Sequence, residues 1–399
     1  MSKFDSIENA YVLVEGDRIA FYGPMNELET SNQNPGLEID ASGKFVLPSF
    51  CDSHTHLVYV SSREGEFADR INGLTYQQIY ERGGGILNSS AKLRAASEAE
   101  LFQSTWNRLD EIMMLGTGAV EIKSGYGLDT DSELKMLRVI RALREKHPLS
   151  IKATFLGAHA IPPAFKNDKA GYIRLLTDEM MPRIAAEKLA DYCDVFCEQG
   201  YFTHDETKKI LEAGLKYGLK PKVHAEQLSH SGGIRAGVEC NAISVDHLEF
   251  CNEEDITALK NSDTMPTLLP GAQFFLQLQQ PPARRMIDTG LPVAVASDYN
   301  PGSSPSGNMM QMVSLCCIQY KMTPEEAFNA ATLNSAYAMD LGETHGSIAV
   351  GKKANLIITK EIPSIAYLPY SFGSNLIDTI IVNGKNYQKN ESTTQPLNI

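Results

Sequence analysis

Short apolar runs alternate with helical patterns through the middle of the chain. The runs that are rich in β-branched and aromatic residues predict buried strands at 45–51, 119–122, 151–156, 194–197, 221–224, 242–245, 264–269 and 293–296. Between most of them, apolar residues recur at the spacing of amphipathic helices, and one such helix is predicted to begin at Ser97, with Glu100 completing a capping box. Eight strands followed by helices favour a (β/α)8 TIM barrel, with an open doubly wound sheet as the alternative.

The two ends of the chain have β-type patterns instead. "AYVLVEGDRIAFYGP" near the start and "GSIAVGKKANLIITK" and "DTIIVNGKNY" near the end each contain a glycine-centred turn between apolar runs. Because neither end has enough strands for a stable unit, we predict that they pair into one small β-sandwich-like domain. The predicted boundaries are 1–46 and 339–399 for the two parts of this domain and 47–338 for the barrel.

Composition narrows the possible partners. The chain has 399 residues, of which 43% are apolar, and a net charge of −13, which argues against nonspecific binding to nucleic acid. It has no apolar run of membrane-spanning length and its start does not have the order of a signal peptide, so we expect a cytoplasmic protein. Seven cysteines without framework spacing predict reduced, mostly buried thiols.

Titratable side chains lie at the ends of predicted strands one, five, six and eight. His54 and His56 in "CDSHTHL" are two residues apart, so both point to one face of an extended segment. His224, His247 and Asp298 end the later strands. Any one of them alone is more often a loop-capping residue, but five at the same mouth of a barrel indicate a site. Imidazole with carboxylate suits zinc or iron(II).

These residues predict a hydrolytic metal centre. The predicted ligands are His54, His56, His224 and Asp298, which would leave one position open for water. A metal ion lowers the pKa of bound water from 15.7 to about 7, which supplies a nucleophile at neutral pH. Asp298 could take up a proton as general base, and His247 could polarise the substrate's carbonyl group. Asp52, on the same face as the histidines, is expected to orient one of the ligands.

The chain resembles the amidohydrolase superfamily in the order H-x-H, His, His and Asp along its strands. "SREGEF", "EIKSGYGL", "TFLGAHAIPP", "VHAEQLSHSGG" and "ASDYNPG" make it similar to the imidazolonepropionase family within that superfamily. The resemblance implies one divalent or trivalent ion, zinc or iron. It also implies opening of the 4-imidazolone-5-propanoate ring to N-formimidoyl-L-glutamate in histidine degradation, and a homodimer. A ring deaminase or another cyclic amidohydrolase is the alternative, and a non-catalytic binding module is a weaker one.

The resemblance also implies roles for residues outside the metal site. Arg63 matches a position that binds the propanoate carboxylate, for which a guanidinium is well suited. Tyr126 and His159 match positions that contact the substrate. Three more such positions follow Asp298, namely Asn300, Gly302 and Ser303. The Pro-Gly turn of that loop is expected to let backbone amides approach a carboxylate.

Position 227 distinguishes between the candidate reactions. Deaminases of the superfamily that act on ring bases typically carry Glu three residues after the histidine of strand five, whereas this chain has Gln227. An amide cannot donate and reclaim a proton in the same way, so we expect Gln227 to contact the substrate ring during ring opening, with Glu226 pointing away.

Lys123 follows strand two, not strand four where some members carry a metal-bridging lysine. We therefore expect a single metal ion and a supporting role for Lys123.

Overall fold

Fourteen strands carry the fold in the computed structural model, which describes residues 1, 3–28, 36–74, 78 and 84–387. In chain order they are β1 (Ala10–Glu15), β2 (Arg18–Pro24), β3 (Val46–Pro48), β4 (Phe50–Thr55), β5 (Thr117–Lys123), β6 (Ser150–Ala158), β7 (Tyr192–Cys197), β8 (Lys220–Ala225), β9 (Ser244–His247), β10 (Met265–Leu268), β11 (Ala294–Val295), β12 (Leu356–Thr359), β13 (Ile377–Val382) and β14 (Lys385–Tyr387).

Helices follow the strands of the central sheet. The α-helices are Glu64–Ile71, Ile86–Ala95, Glu98–Met114, Thr130–Lys146, Lys169–Arg174, Met181–Glu187, His204–Lys216, Gly233–Glu239, Glu253–Lys260, Pro270–Leu276, Ala283–Asp288, Met309–Gln319, Pro324–Asn329, Ser335–Tyr337 and Tyr367–Tyr370. Short 3-10 turns lie at Met25–Glu27 and Pro163–Phe165, and π-helical turns at Leu175–Met180 and Ala330–Asn334. Among the helices of the described residues, none is long and apolar enough to cross a membrane.

Strands β4 to β11 form one parallel sheet in chain order, and its two edges meet. The segment after β11 returns to β4, where the Asp298 N–H donates to the His54 carbonyl (3.0 Å) and the His56 N–H to the Tyr299 carbonyl (2.9 Å). Thr55 and Tyr299 form a parallel bridge at this seam. The sheet therefore closes into the predicted (β/α)8 barrel, and the open doubly wound alternative is wrong.

The first predicted strand is in fact two strands that belong to different sheets. Strand β3 pairs antiparallel with β12, whereas β4 pairs parallel with β5. The chain changes sheets at Ser49, whose N–H donates to the Asn355 carbonyl, while the N–H of Phe50 donates to the Gly116 carbonyl. A continuous apolar run cannot show this change because both of its halves are buried.

The chain ends form a small β-rich unit, as predicted. Strands β12, β13 and β14 make an antiparallel sheet with β3, and β1 pairs with β2 in a hairpin. Side chains of the hairpin and the sheet share a separate apolar cluster that includes Ile19, Leu356 and Ile358. The N- and C-terminal segments thus bury each other's apolar faces, and the exact domain boundaries at 46 and 338 stay a prediction.

Local signals in the sequence are confirmed in several places. The Ser97 side chain accepts from the Glu100 N–H, and the Glu100 carboxylate accepts from the Ser97 N–H, so the capping box begins helix Glu98–Met114.

All seven cysteines are free thiols, and five of them are buried. Burial raises the pKa of the Cys51 thiol to about 12, which makes it inert at neutral pH.

Close packing of helix Gly233–Glu239 on the barrel leads to a stability prediction. A Cβ atom added at Gly237 would overlap with Val245 Cγ1 of β9, whereas one added at Gly65 meets no atom of the described chain within 4 Å. We expect Gly237→Ala to lower the free energy of unfolding by about 1–3 kcal/mol through overpacking. Gly65→Ala, also in a helix, should be neutral or slightly stabilising. Thermal and urea unfolding of both variants would measure this, and equal effects would contradict it.

Candidate metal centre and active site

The five titratable residues predicted at the strand ends meet at one mouth of the barrel. His56 Nε2 lies 3.3 Å from His54 Nε2 and 3.4 Å from Asp298 Oδ1, and the latter oxygen lies 3.7 Å from His54 Nε2. The ring centroid of His224 is 4.4 Å from that of His54, and the ring centroid of His247 is 5.3 Å from that of His224. All five side chains are buried, with at most 3% exposure.

Backbone geometry brings these side chains together. His54 lies in β4 and His56 directly after it, so the alternation of an extended segment aims both imidazoles at the same point. His224 lies near the end of β8. Asp298 has φ +53°, a left-handed conformation that is uncommon for aspartate, and its N–H is held by the seam with β4. The seam therefore fixes Asp298 against the two histidines.

The donor set fits a bound cation. Burial lowers the pKa of His56 and of His224 to about 3 and that of His54 well below its usual range, so all three rings are neutral at pH 7. Neutral imidazole is the form that binds metal ions. His224 Nε2 is buried and has no hydrogen-bond partner among the described residues. Two overlapping groups of side chains bring their donor atoms close enough to share an ion, namely His54 with His56 and Asp298, and His54 with His224 and His247.

Buried carboxylates orient two of the histidines from behind. Asp246 Oδ2 lies 2.6 Å from His54 Nδ1, and Asp194 Oδ2 lies 3.0 Å from His224 Nδ1. The contact with His54 has hydrogen-bond geometry, whereas His224 Nδ1 faces Asp194 at ion-pair distance without it. Carboxylates in these positions favour rings whose Nε2 faces away from them. The sequence did provide a signal for both, because an aspartate within an apolar strand is unusual. That signal did not show which histidine each carboxylate would face.

Among the described residues, Asp52 makes no hydrogen bond to the ring of a predicted histidine ligand, so the expected direct contact is not found. Its carboxylate accepts from the backbone N–H of Ser297 (2.9 Å) and from the Ser297 hydroxyl (2.5 Å). The pairing of β4 with β5 also shifts register between Asp52 and Thr55. Asp52 instead fixes the segment that carries Asp298.

Tyr126 and His159 border the cluster, and their contact with the substrate stays a prediction. The ring of His159 stacks on that of His56 at 5.2 Å, and the ring of Tyr126 lies 6.0 Å from His56. His159 Nδ1 is 3.1 Å from the Gly125 carbonyl, which fixes the ring. Burial lowers the pKa of His159 to about 3, so its imidazole is neutral as well. Both side chains can therefore contact a ligand bound beside His56.

The loop after Asp298 folds on its own asparagine. The N–H groups of Gly302 and Ser303 both donate to Asn300 Oδ1 (2.8 Å each), and Ser303 Oγ lies 3.4 Å from Asp298 Oδ2. The expectation that these amides are free for a carboxylate is therefore wrong in this structure. The loop is fixed beside Asp298, and the Ser303 hydroxyl is its contact with the site.

Arg63 lies against this same loop. Its Nε donates to Glu66 Oε1 (3.0 Å) and its Nη2 to Glu66 Oε2, which fixes one edge of the guanidinium. A side chain at Gly302 would overlap with Arg63 Nη1, so glycine is what permits this close approach. Arg70 Nη2 also donates to the Gly302 carbonyl (3.0 Å). The remaining edge of Arg63 lies beside the loop that carries the predicted substrate contacts.

Comparison with known proteins identifies the family. A model of the amidohydrolase family matches residues 45–387. The imidazolonepropionase of Flavobacterium johnsoniae is 57% identical over 96% of this chain and 93% of its own length, and that of Christiangramia forsetii is 56% identical over the same shares. The chain belongs to the imidazolonepropionase family of amidohydrolases. The resemblance seen in the sequence is thus confirmed, and the chain is a hydrolase.

Solved structures of more distant proteins share the fold of this imidazolonepropionase family member. A 5-methylcytosine deaminase from Klebsiella pneumoniae, liganded with 5-fluorocytosine, has a TM-score of 0.73 at 18% identity and covers 95% of this chain and 94% of its own. An adenosine deaminase from Xanthomonas campestris with bound zinc has a TM-score of 0.70 at 14% identity, covering 95% and 88%. At such identities the likeness shows the barrel and its attached β-unit alone.

Two buried glutamates fix the backbone on either side of Gln227. Glu226, with φ +50°, turns away and accepts from the N–H groups that begin helix Gly233–Glu239, at 2.7–2.9 Å. Glu198 accepts from the N–H of Leu228 (2.8 Å). The expected outward direction of Glu226 is confirmed. The chain on both sides of Gln227 is fixed, and the Gln227 side chain is nearly buried.

Glu249 is a site residue that sequence reasoning missed. Its Oε1 lies 3.8 Å from His247 Nδ1, and neither carboxylate oxygen has a hydrogen-bond partner among the described residues. Burial lowers the pKa of His247, but the carboxylates of Glu249, Asp298 and Asp246 together outweigh burial and raise it, with Glu249 contributing most among them. The contact between Glu249 and His247 could not be predicted from the sequence. His247 and Leu248 both adopt positive φ, and this changes the side-chain directions that an extended chain would have.

Two histidines that lie side by side give a test of the ligand set. His224→Ala removes a buried Nε2 that has no hydrogen-bond partner in the described part of the chain, so the purified variant should retain far less metal than the wild type. His159→Ala removes an imidazole that stacks on His56 but is not a predicted ligand, so it should keep its metal. Elemental analysis by mass spectrometry would measure both, and equal metal content in the two variants would contradict the assignment.

Proposed function

We propose that the protein hydrolyses the cyclic C–N amide bond of 4-imidazolone-5-propanoate, giving N-formimidoyl-L-glutamate in histidine degradation. The observation that best supports this is a pair of overlapping donor groups at the barrel mouth, in a member of the imidazolonepropionase family. The groups are His54 with His56 and Asp298, and His54 with His224 and His247. Its substrates are this small molecule and water, in the cytoplasm, and its metal is one zinc or iron ion. The homodimer stays a prediction.

Four residues would hold the metal ion. His54, His56, His224 and Asp298 offer three imidazole nitrogens and a carboxylate oxygen, a set that suits zinc and iron alike. The ion, when bound, supplies an activated water at neutral pH. Burial raises the pKa of Asp298. As a carboxylate beside the predicted water position, Asp298 would take up the proton that water loses and give it to the leaving ring nitrogen.

His247 is positioned to hold the carbonyl oxygen. Glu249 faces Nδ1 of His247 and favours the protonated ring, which leaves Nε2–H as a donor. As water attacks, the carbonyl oxygen gains negative charge, and a charged donor binds it more strongly than it binds the substrate's neutral carbonyl. The C–N bond then breaks, so that the carbon keeps the new hydroxyl and the nitrogen gains the proton.

The remaining predicted residues would position the substrate. The edge of Arg63 that Glu66 leaves unused can bind the propanoate, and the loop of Asn300, Gly302 and Ser303 borders the same space. Tyr126 and His159 flank the ring from the side of His56. The Gln227 amide can donate to or accept from the ring, but it cannot transfer a proton, which favours ring opening over deamination.

A direct assay tests the reaction. The protein is incubated with freshly made 4-imidazolone-5-propanoate, and loss of its ultraviolet absorbance is followed with and without a chelator. We expect the absorbance to fall without release of ammonia, the chelator to stop the reaction, and zinc or ferrous ion to restore it. Equimolar ammonia would indicate a deaminase instead. No turnover by metal-loaded protein would refute the proposal.

His247 should matter for turnover and not for metal binding. His247→Ala removes the proposed donor to the carbonyl oxygen, and loss of one such donor typically costs about 100- to 1000-fold in kcat. The metal content should stay near that of the wild type. His230→Ala, which changes an exposed histidine, serves as the control. Normal kcat in His247→Ala would exclude this residue from the chemistry.

Arg63 should matter mainly for substrate binding. A hydrogen bond to a charged group contributes about 1.5–3 kcal/mol, so Arg63→Met should raise KM by roughly 10- to 100-fold. Arg285→Met removes an exposed arginine that pairs with Glu253 and should leave KM unchanged. Steady-state kinetics on the imidazolone substrate would give the KM of both variants. A wild-type KM in Arg63→Met would contradict its assignment to the propanoate.

A further inference from the structure

A buried lysine lies directly beneath the predicted metal site. Lys123 Nζ is 2.8 Å from Asp194 Oδ2, 2.8 Å from Glu121 Oε1 and 3.9 Å from Asp246 Oδ2. The four side chains are fully buried. An ammonium group this far from water is tolerated only when it is well paired, and Lys123 has three carboxylates around it.

Two of these carboxylates connect the lysine to different histidines. Asp194 Oδ2, which accepts from Lys123, also faces His224 Nδ1, and its Oδ1 accepts from the His224 backbone N–H (3.1 Å). Asp246 Oδ2 faces His54 Nδ1 at 2.6 Å. One ammonium group thus contacts the carboxylates behind two of the four predicted ligands. These ligands come from β4 and β8, which are not neighbours in the barrel.

We propose that Lys123 is a positioning residue for the metal centre. It holds Asp194 and Asp246 in place together, so that His224 and His54 both present Nε2 to one ion. The proposal rests on the metal site of the proposed function. Without the ammonium, Asp194, Asp246 and Glu121 would repel one another at short range, and at least one aspartate would turn from its histidine. That histidine would then be free to rotate, and the preformed site would be lost.

The simplest competing explanation is that Lys123 only stabilises the fold, and the chain offers a matched control for it. Lys222 is equally buried, and its Nζ donates to the carbonyls of Ser53 (3.0 Å) and Ala338 (3.2 Å). It also lies 3.8 Å from Glu121 Oε2. Within the described residues, it makes no ion pair with Asp194 or Asp246. Both lysines therefore stabilise the barrel interior, but only Lys123 contacts the carboxylates behind the histidines.

The experiment compares zinc affinity in the wild type, Lys123→Met and Lys222→Met. Each full-length protein is stripped of metal, shown to be folded by circular dichroism, and titrated with zinc in competition with a chromophoric chelator. Loss of the support behind metal ligands typically weakens binding by about 10- to 100-fold, which is the expected result for Lys123→Met. Both variants should melt at lower temperature than the wild type, but Lys222→Met should keep nearly wild-type zinc affinity.

The outcomes separate this inference from the proposed function. Equal zinc affinity in Lys123→Met and Lys222→Met would overturn the positioning role and leave the hydrolase proposal untouched. A wild-type protein that binds no zinc or ferrous ion would overturn the metal site itself. If Lys123→Met does not fold, Lys123→Gln and Lys222→Gln replace the pair, since glutamine keeps two N–H donors but no charge. Weaker zinc binding in Lys123→Gln alone would support the role, and equal affinities would overturn it.

Discussion

The seam between β4 and the segment after β11 is the constraint on which the site depends. Two backbone hydrogen bonds there join His54 to Asp298 and His56 to Tyr299. They close the barrel, and they also place a carboxylate from the end of the domain between two imidazoles from its beginning. Because the bonds belong to the same residues that form the cluster, closure of the barrel and assembly of the site are one event. A barrel left open at this seam would separate Asp298 from both histidines.

Closure places a layer of charge where barrels usually pack branched apolar side chains. Glu121, Lys123, Asp194, Lys222 and Asp246 are all buried in the interior. Buried ion pairs contribute little net stability, because removing each charge from water is costly. Their value here is geometric, since each aspartate accepts from or faces a defined nitrogen of a histidine. Charged side chains thus replace apolar ones in this part of the interior, and their pairing holds the side chains of the cluster in one orientation.

The sequence was sufficient to predict the barrel, the paired chain ends and the five clustered residues, because strand patterns and strand-end chemistry are local. It was insufficient wherever the answer depended on register between strands. The split at Ser49 and the direction of Asp52 are two examples, since neighbouring strands decide both. Glu249 was missed for a related reason, because positive φ at His247 reverses the side-chain directions that an extended chain would give. For Asp194 and Asp246, the sequence shows only that each is an unusual residue in an apolar strand, and it does not show which histidine each one faces.

The fold does not decide the reaction, since deaminases with this architecture share less than a fifth of its residues. What differs must lie in side chains around the mouth, and position 227 is the most informative of them. A carboxylate does exist one residue earlier, at Glu226, but the N–H groups at the start of helix Gly233–Glu239 bind it. These N–H groups occupy the carboxylate oxygens of Glu226, and the positive φ of Glu226 (+50°) turns its side chain away from position 227. Glu226 therefore cannot take the place of a proton-transferring acid at position 227. This is why the proposed reaction assigns proton transfer to the leaving nitrogen to Asp298.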